Sequence, residues 1–120
     1  MASNVSGTLE GLMKLDGAMA GAVIDSKSGM ALGMAGSGLN LDVAAAGNSQ
    51  VLRSKEKVMQ NLGLNDRIED ILITLGKQYH LLRPLAKNDS LFIYLVLNRE
   101  KANLAMARHK LSEAEGILEV

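Results

Sequence analysis

Few side chains in this chain could carry acid–base chemistry. The 120 residues include two histidines, His80 and His109, and no cysteine. A catalytic triad places a histidine between a nucleophile and a carboxylate, and neither histidine has such a pattern around it. His109 stands between Arg108 and Lys110, as is typical of a solvated helix face, and His80 falls in a segment predicted to be a strand. We therefore expect no catalytic residue.

The carboxylates do not form a metal-binding pattern either. Glu69 and Asp70 are adjacent and Glu113 and Glu115 alternate, which is typical of solvated charges, and no histidine cluster accompanies them. The lack of cysteine also excludes disulfides, thiolate catalysis and zinc-finger sites. We expect neither a metal nor a cofactor.

A glycine-rich segment, GMAGSG at residues 33–38, lies between a predicted strand and a predicted helix. Glycine amides in that position can bind phosphate. The segment is not followed by G-K-[ST] and does not match G-x-G-x-x-G. We predict a flexible connection, and anion binding stays open as an alternative.

Charge and length bound the remaining classes. Lys plus Arg and Asp plus Glu both number 13, so no net positive field favours nucleic acid. No segment combines a strong amphipathic pattern with a basic face, and MASNVSGTLE lacks the features of a signal peptide. We predict one domain over residues 1–120, cytoplasmic, with no nucleic-acid binding and no membrane insertion.

The most informative element is the uncharged run LFIYLVL, Leu91–Leu97. A strand with one face in water alternates apolar and polar residues, so this run predicts a strand covered on both faces. A buried helix segment is the alternative. The turn is expected at Lys87–Asp89, and Asn98 is expected to cap a helix that continues to about Leu118.

The rest of the chain supplies the covering layers. A first helix carries Leu9 and Leu12. Two hairpins are predicted, residues 18–25 with 30–36 around a turn at Gly29, and residues 68–75 with 78–85; Pro84 should lie at a strand end or bulge. The element order is helix, strand, strand, helix, strand, strand, strand, helix. Three helices must then divide between the two faces of an antiparallel sheet.

The helix between the hairpins, capped by Asn40 or Asp42 and ended by Gly63, has a wide apolar stripe. Asn48 and Lys55 interrupt this stripe. They mark either its solvent edge or the place where a second chain packs, and the sequence leaves both interpretations open. The apolar positions are Leu41, Ala44, Ala45, Val51, Leu52, Val58, Met59 and Leu62.

Several segments, taken in this order, resemble the Roadblock/LC7 family, which includes roadblock-type dynein light chains and bacterial MglB-like proteins. They are GAVIDSKSG at residues 21–29, the Ala-rich start of the second helix, YHLLRPL at 79–85, and LFIYLVLNREKANLAMAR at 91–108. The resemblance runs from about Leu9 to Leu118.

The resemblance implies a three-layer α+β fold, profilin-like, with two helices on one face of a five-stranded antiparallel sheet and one on the other. The implied strand order is second, first, fifth, fourth, third. It also implies a homodimer in which the third strand pairs with its own copy and the second helices meet. The expected dimer residues are Leu41, Ala44, Ala45, Asn48, Val51, Leu52, Lys55, Ile71 and Ile73.

By the same resemblance, the partner would be a Ras-like small GTPase of the MglA type. The chain would then be a non-catalytic interaction module, acting as a GTPase-activating platform, with Arg53 and Lys57 as partner contacts. One alternative is a scaffold subunit without GTPase regulation, as in the dynein-associated members. Another is a small-molecule sensor, which needs a cavity with convergent polar groups that the sequence does not show.

Overall fold

A computed structural model describes residues 3–120. The predicted element order is confirmed. The elements are α1 (Val5–Leu12), β1 (Ala18–Asp25), β2 (Met30–Gly36), α2 (Leu41–Asn61), β3 (Ile71–Thr74), β4 (Gln78–Leu85), β5 (Asn88–Asn98) and α3 (Leu104–Ile117).

The five strands form one antiparallel sheet in the order β2-β1-β5-β4-β3. This is the strand order that the resemblance implied. The apolar run lies on β5 at the centre of the sheet, with β1 on one side and β4 on the other. The register slips between Pro84 and Leu85, which places the proline at an irregularity, as predicted, because proline cannot donate to the ladder.

Side chains of β5 alternate between two cores. Leu91, Ile93, Leu95 and Leu97 point into the core that contains α1 and α3, whereas Phe92, Tyr94 and Val96 point into the core beneath α2. All seven are at most 7% exposed. The run is therefore a strand buried on both faces, and the buried-helix alternative is wrong.

The helices cover the two faces unequally. Residues of α1 and α3 share one core, with Leu9 and Leu111 completely buried, and α2 alone supplies helical residues to the other core. The predicted arrangement of two helices on one face and one on the other is confirmed.

Local hydrogen bonds fix the ends of α2 and the first hairpin. The Asn40 side-chain oxygen accepts the N–H groups of Asp42 and Val43, which satisfies donors left free at a helix start. After the helix, Gly63 adopts φ +71° and its N–H bonds the Gln60 carbonyl, as in a Schellman ending. Gly29 has φ +75° in the β1–β2 turn, as predicted.

The third strand is shorter than predicted. Residues 68–75 were expected to be extended, but β3 covers only Ile71–Thr74. Because Ile71 pairs with Leu82, continuing the ladder backwards would set Glu69 opposite Pro84, which has no N–H to donate. Asp70 instead turns its carboxylate to Arg108, at 3.1 Å from Nε.

Two boundaries around β5 also differ from the prediction. The strand begins at Asn88, so the turn contains Ala86 and Lys87 and not Asn88 or Asp89. The last helix is capped by Asn103, whose side-chain oxygen accepts the Met106 N–H. Asn98 does not cap it, because its side-chain oxygen accepts the Glu100 N–H and closes a tight turn.

The glycine-rich segment is partly strand. Gly33 and Gly36 belong to β2, where a Cβ at Gly33 would lie 2.5 Å from Val5 Cγ1 and one at Gly36 would lie 2.2 Å from the Met19 carbonyl oxygen. These glycines therefore permit close packing of the edge strand. Within residues 3–120, no helix is long and apolar enough to span a bilayer.

Candidate interaction surface

One side of α2 holds the helix on the sheet. Its buried residues are Leu41, Ala45, Ser49 and Leu52. Leu41, Ala45 and Leu52 were predicted dimer residues, yet they are only 8%, 1% and 0% exposed in the single chain. Their side chains are already packed in the core of their own subunit. In the single chain these residues position α2 on its own sheet, and their part in a dimer stays a prediction.

A second side of α2 faces outward and is also largely apolar. Val51, Val58 and Leu62 are 41%, 45% and 66% exposed. Their positions belong to a series with alternating steps of four and three residues, the spacing at which one helix packs along another. We call this series the outer stripe: Ala44, Asn48, Val51, Lys55, Val58 and Leu62.

Beside α2, part of the same sheet face is only half covered. The helix packs mainly on β1 and β2, at the far end of the sheet from β3. Ile71 and Ile73 of β3 and Gln78 and His80 of β4 are half-buried. These four residues form what we call the β3–β4 shelf. Both isoleucines of the predicted dimer zone therefore lie on this shelf, with Ile73 paired to His80.

A chain of polar side chains runs from the shelf toward the helix. The Tyr94 hydroxyl lies 2.8 Å from His80 Nδ1, and His80 Nε2 lies 2.8 Å from Gln78 Oε1. Because the Gln78 oxygen can only accept, Nε2 carries the proton and Nδ1 accepts from the tyrosine. The two rings meet edge to face with centroids 5.5 Å apart.

Burial sets the protonation of this network. It lowers the pKa of His80, so the imidazole is neutral at pH 7 and keeps the tautomer just described. Burial also raises the pKa of the Tyr94 hydroxyl, although the nearby Asn48 side chain acts to lower that pKa. Asn48 thus lies close to the network from the outer stripe, and its Nδ2 donates to the Ala44 carbonyl at 2.9 Å.

The histidines do not form a catalytic arrangement. Both ring nitrogens of His80 have structural partners, and neither partner is a carboxylate. The His109 side chain is 65% exposed, 3.6 Å from Glu113, so its predicted place on a solvated helix face is confirmed. Within residues 3–120, no three His, Asp or Glu side chains cluster as a metal site would require.

The basic residues of α2 are accessible. Arg53, Lys55 and Lys57 are all exposed. Lys55 lies within the outer stripe, whereas Arg53 and Lys57, the expected partner contacts, lie elsewhere around the helix, since each residue advances about 100°. Arg53 also lines a cleft under the C-terminal half of α2.

Sequence reasoning missed several polar residues that shape these layers. Ser49 is completely buried and its hydroxyl donates to the Ala45 carbonyl at 2.7 Å. On the opposite face, Arg83 Nε bonds Glu115 at 2.9 Å and ties β4 to α3. Only the two-residue period of strands, which sets Gln78 and His80 on one face, could have indicated the polar network.

The carboxyl of Glu115 is tuned by its partners. Burial alone would raise its pKa, but the Ala86 amide N–H, the Arg83 guanidinium and the positive charge of Arg67 together lower it. The carboxylate is therefore charged at neutral pH, and it anchors the C-terminal part of α3 to the end of β4.

Comparison with known proteins adds the fold's name. No protein-family model matches the sequence, and no curated protein sequence matches it. Among solved structures, a Roadblock/LC7 domain from Streptomyces avermitilis superposes with a TM-score of 0.82 at 12% identity, covering 95% of this chain and 93% of that one. MglB from Myxococcus xanthus gives 0.82 at 12% identity, covering 94% and 89%.

A structure of MglB with a tetrameric arrangement gives a TM-score of 0.77 at 18% identity, covering 91% of this chain and 80% of that one. The sequence identities are low, so the likeness concerns the path of the backbone. The helix order, the strand order and the placement of α1 and α3 opposite α2 lead to one conclusion: this chain has the Roadblock/LC7 fold.

Proposed function

We propose that this chain is a non-catalytic homodimeric interaction module that regulates a Ras-like small GTPase. The supporting observation is that α2 leaves part of its face of the sheet uncovered. The outer stripe of α2 and the β3–β4 shelf lie on the same side of the sheet, and both are partly apolar and partly exposed. Apolar surface arranged in this way is typical of sites where another protein packs.

The second copy fits this face through two-fold symmetry. β3 is an edge strand, and its outer backbone groups have no ladder partner among residues 3–120. Pairing β3 with its own copy would join two five-stranded sheets and bring each outer stripe next to the other subunit. Ala44 allows close approach, and Asn48 and Lys55 would restrict the register, as polar residues in a helix seam do.

The tetrameric arrangement of a similarly folded MglB supports self-association as a property available to this fold. The GTPase assignment rests on the sequence resemblance to MglB-like proteins. The exposed Arg53 and Lys57 are the proposed contacts to that partner. With no catalytic arrangement among residues 3–120, the chain would act by holding the GTPase in a favourable geometry. This function also implies a cytoplasmic protein, because GTP hydrolysis by such partners takes place there.

The test has two stages. The tagged chain is used to isolate partners from its own cell lysate, and a recovered small GTPase is then assayed for single-turnover GTP hydrolysis with and without the chain. We expect enrichment of a small GTPase and a changed hydrolysis rate. The double variant Arg53→Ala/Lys57→Ala should weaken the association at least tenfold, about 1.4 kcal/mol.

Lys101→Ala is the matched control, because Lys101 is an exposed basic residue on the turn before α3 and should leave the association unchanged. A bound GTPase whose hydrolysis rate stays constant in excess chain would contradict regulation. Recovery of a large complex without a GTPase would contradict the partner class and support the scaffold alternative.

A further inference from the structure

A separate cleft of about 440 Å³ lies under the C-terminal half of α2. Its walls come from α2, the segment between α2 and β3, and the turns that join β1 to β2 and β4 to β5. Its volume falls in the range of about 300–1,000 Å³ that is usual for small-molecule sites. Glu56, which faces the cleft, lies about 140° around the helix from Val51. The cleft is therefore distinct from the outer stripe.

Six charged side chains line this cleft. Four ion pairs occur among residues 3–120, and none of them uses any of the six. On the opposite face of the sheet, by contrast, Arg83 and Glu115 form an ion pair. The six consist of three cations and three carboxylates: Lys27, Arg53, Arg67, Glu56, Asp66 and Asp89.

The carboxylates are set to receive a positive group. Burial raises the pKa of Glu56, and the negative charge of Asp89 raises it further. Two carboxyl groups that repel each other in a partly buried cleft are stabilised by a cation placed between them. Asp66 is less available, because its Oδ1 accepts the Arg67 amide N–H at 2.8 Å.

The arginines of the cleft are available to bind a negatively charged group. Arg53 projects from α2 and Arg67 from the segment that follows it, and both line the cleft. Arg67 also lies near enough to Glu115 to lower the pKa of that carboxyl, although the Glu115 oxygens are bonded to Arg83 and the Ala86 amide N–H. A guanidinium with no ion-pair partner of its own is suited to bind a carboxylate.

Apolar side chains complete the cleft. Met59, Ile68 and Pro84 contribute to the lining between the charged groups. We propose that the cleft binds a small molecule with an amine and an acid on a short apolar body, the chemistry of a free α-amino acid. The ammonium would lie by Glu56 and Asp89, and the carboxylate would lie by Arg67 and Arg53.

The test measures binding of the twenty free amino acids to the full chain by isothermal titration calorimetry, with native mass spectrometry as a second readout. At least one apolar amino acid should bind. Its N-acetyl form, which lacks the ammonium, and its amide form, which lacks the carboxylate, should each bind at least tenfold more weakly. Absence of binding by all twenty at millimolar concentration would overturn the proposal, as would equal binding of either blocked form.

Single variants locate the site. Glu56→Gln and Arg67→Gln should each weaken binding about tenfold, since each removes one charge from the cleft, and Glu56→Gln does so without a change in side-chain shape. Glu100→Gln and Lys101→Gln remove exposed charges that do not line the cleft and should have no effect. Unchanged affinity in both cleft variants would overturn the proposal. Val51→Lys, on the outer stripe, should leave amino-acid affinity unchanged, which separates this site from the dimer surface.

Discussion

The helices cover the two faces of the sheet to different extents. On one face, α1 and α3 together cover the apolar side chains of β1, β4 and β5, and fourteen buried residues form a closed core. On the other, α2 alone covers the sheet, ten buried residues form the core, and Ile71 and Ile73 stay half exposed at its margin.

The difference supports the proposal that the same sheet is both a stable scaffold and an interaction surface. The face covered by two helices places its large side chains in contact with one another, so it contributes stability to the single chain. The face covered by one helix leaves apolar groups on both sides of the gap, on α2 and on the shelf. A second protein packed on this face would bury them.

The largest loss of stability should come from a change on the face covered by α1 and α3. Leu111 is completely buried between α3 and the sheet, so Leu111→Ala should lower the free energy of unfolding by about 2–5 kcal/mol. Urea melts at several protein concentrations would measure this loss. Ile117→Ala, on the same helix but 62% exposed, should stay within about 0.5 kcal/mol of the parent. Equal losses for the two variants would contradict the description of this face as closed.

A change on the face that α2 covers alone should affect association and leave the folded subunit intact. Val51→Lys places a charge on the outer stripe and should weaken the dimer at least tenfold, about 1.4 kcal/mol, by desolvating a charge against the second copy. Sedimentation velocity over a range of concentrations is the measurement. The matched control is Val43→Lys, because Val43 is 67% exposed and lies outside the stripe. If both variants dissociate equally, the stripe is not the contact.

The polar network of Tyr94, His80 and Gln78 should make the stability of the protein decrease in mild acid. Above pH 6.5, the reference pKa, His80 is neutral in both folded and unfolded chains; because its folded pKa is lowered, the unfolded chain takes up the proton first as pH falls. Stability should therefore decrease below pH 6.5 and level off once the pH passes the folded pKa. Parallel urea melts between pH 7.5 and 5 would show a smaller decrease in His80→Gln than in the parent.

The hydrogen bond within that network can be tested alone. Tyr94→Phe removes the hydroxyl bonded to His80 Nδ1 and should cost about 0.5–1.5 kcal/mol at pH 7.5. The same measurement on Tyr79→Phe is a control, since the Tyr79 ring is only half-buried beside the Arg99 guanidinium. A zero cost at Tyr94 would mean that the network contributes nothing to the fold.

The smallest effect is expected on the outer surface of α3. His109 is mostly exposed, and His109→Ala should change the free energy of unfolding by no more than about 0.5 kcal/mol. Chemical denaturation at pH 7.5 measures it. A loss of several kcal/mol would show that α3 is covered on its outer side too, and the contrast between the two faces would then fail.

Sequence patterns sufficed where a single physical constraint decides the structure. The uncharged run Leu91–Leu97 requires cover on both faces, and Gly29 and Gly63 stand where the backbone needs a positive φ. The start of α3 was mispredicted because Asn98 and Asn103 have equal local preference for a helix cap. Contacts distant in sequence decide between them: the Asn98 N–H bonds the Gly17 carbonyl, and Asn98 pairs with Gln78 of β4, so Asn98 belongs to the strand.

The interaction surface was harder to predict for a geometric reason. Ala44 and Ala45 are adjacent in sequence but lie about 100° apart around α2, and a wide apolar stripe does not tell which half the chain buries itself. The structure divides it: Ala45 and Leu52 are buried against the sheet, Ala44 is partly buried at the margin of the core, and Val51 is exposed. The cleft could not be predicted, because Lys27, Glu56 and Asp89 come together only through the sheet.

The most direct test of the proposed dimer is the mass of the protein in solution. Light scattering after size exclusion, repeated from micromolar to millimolar concentration, should give twice the chain mass of 12.8 kDa, and Val51→Lys should move the mass toward that of one chain while its circular dichroism stays unchanged. A parent protein that remains at 12.8 kDa throughout would contradict the claim that a second copy covers the outer stripe and the β3–β4 shelf.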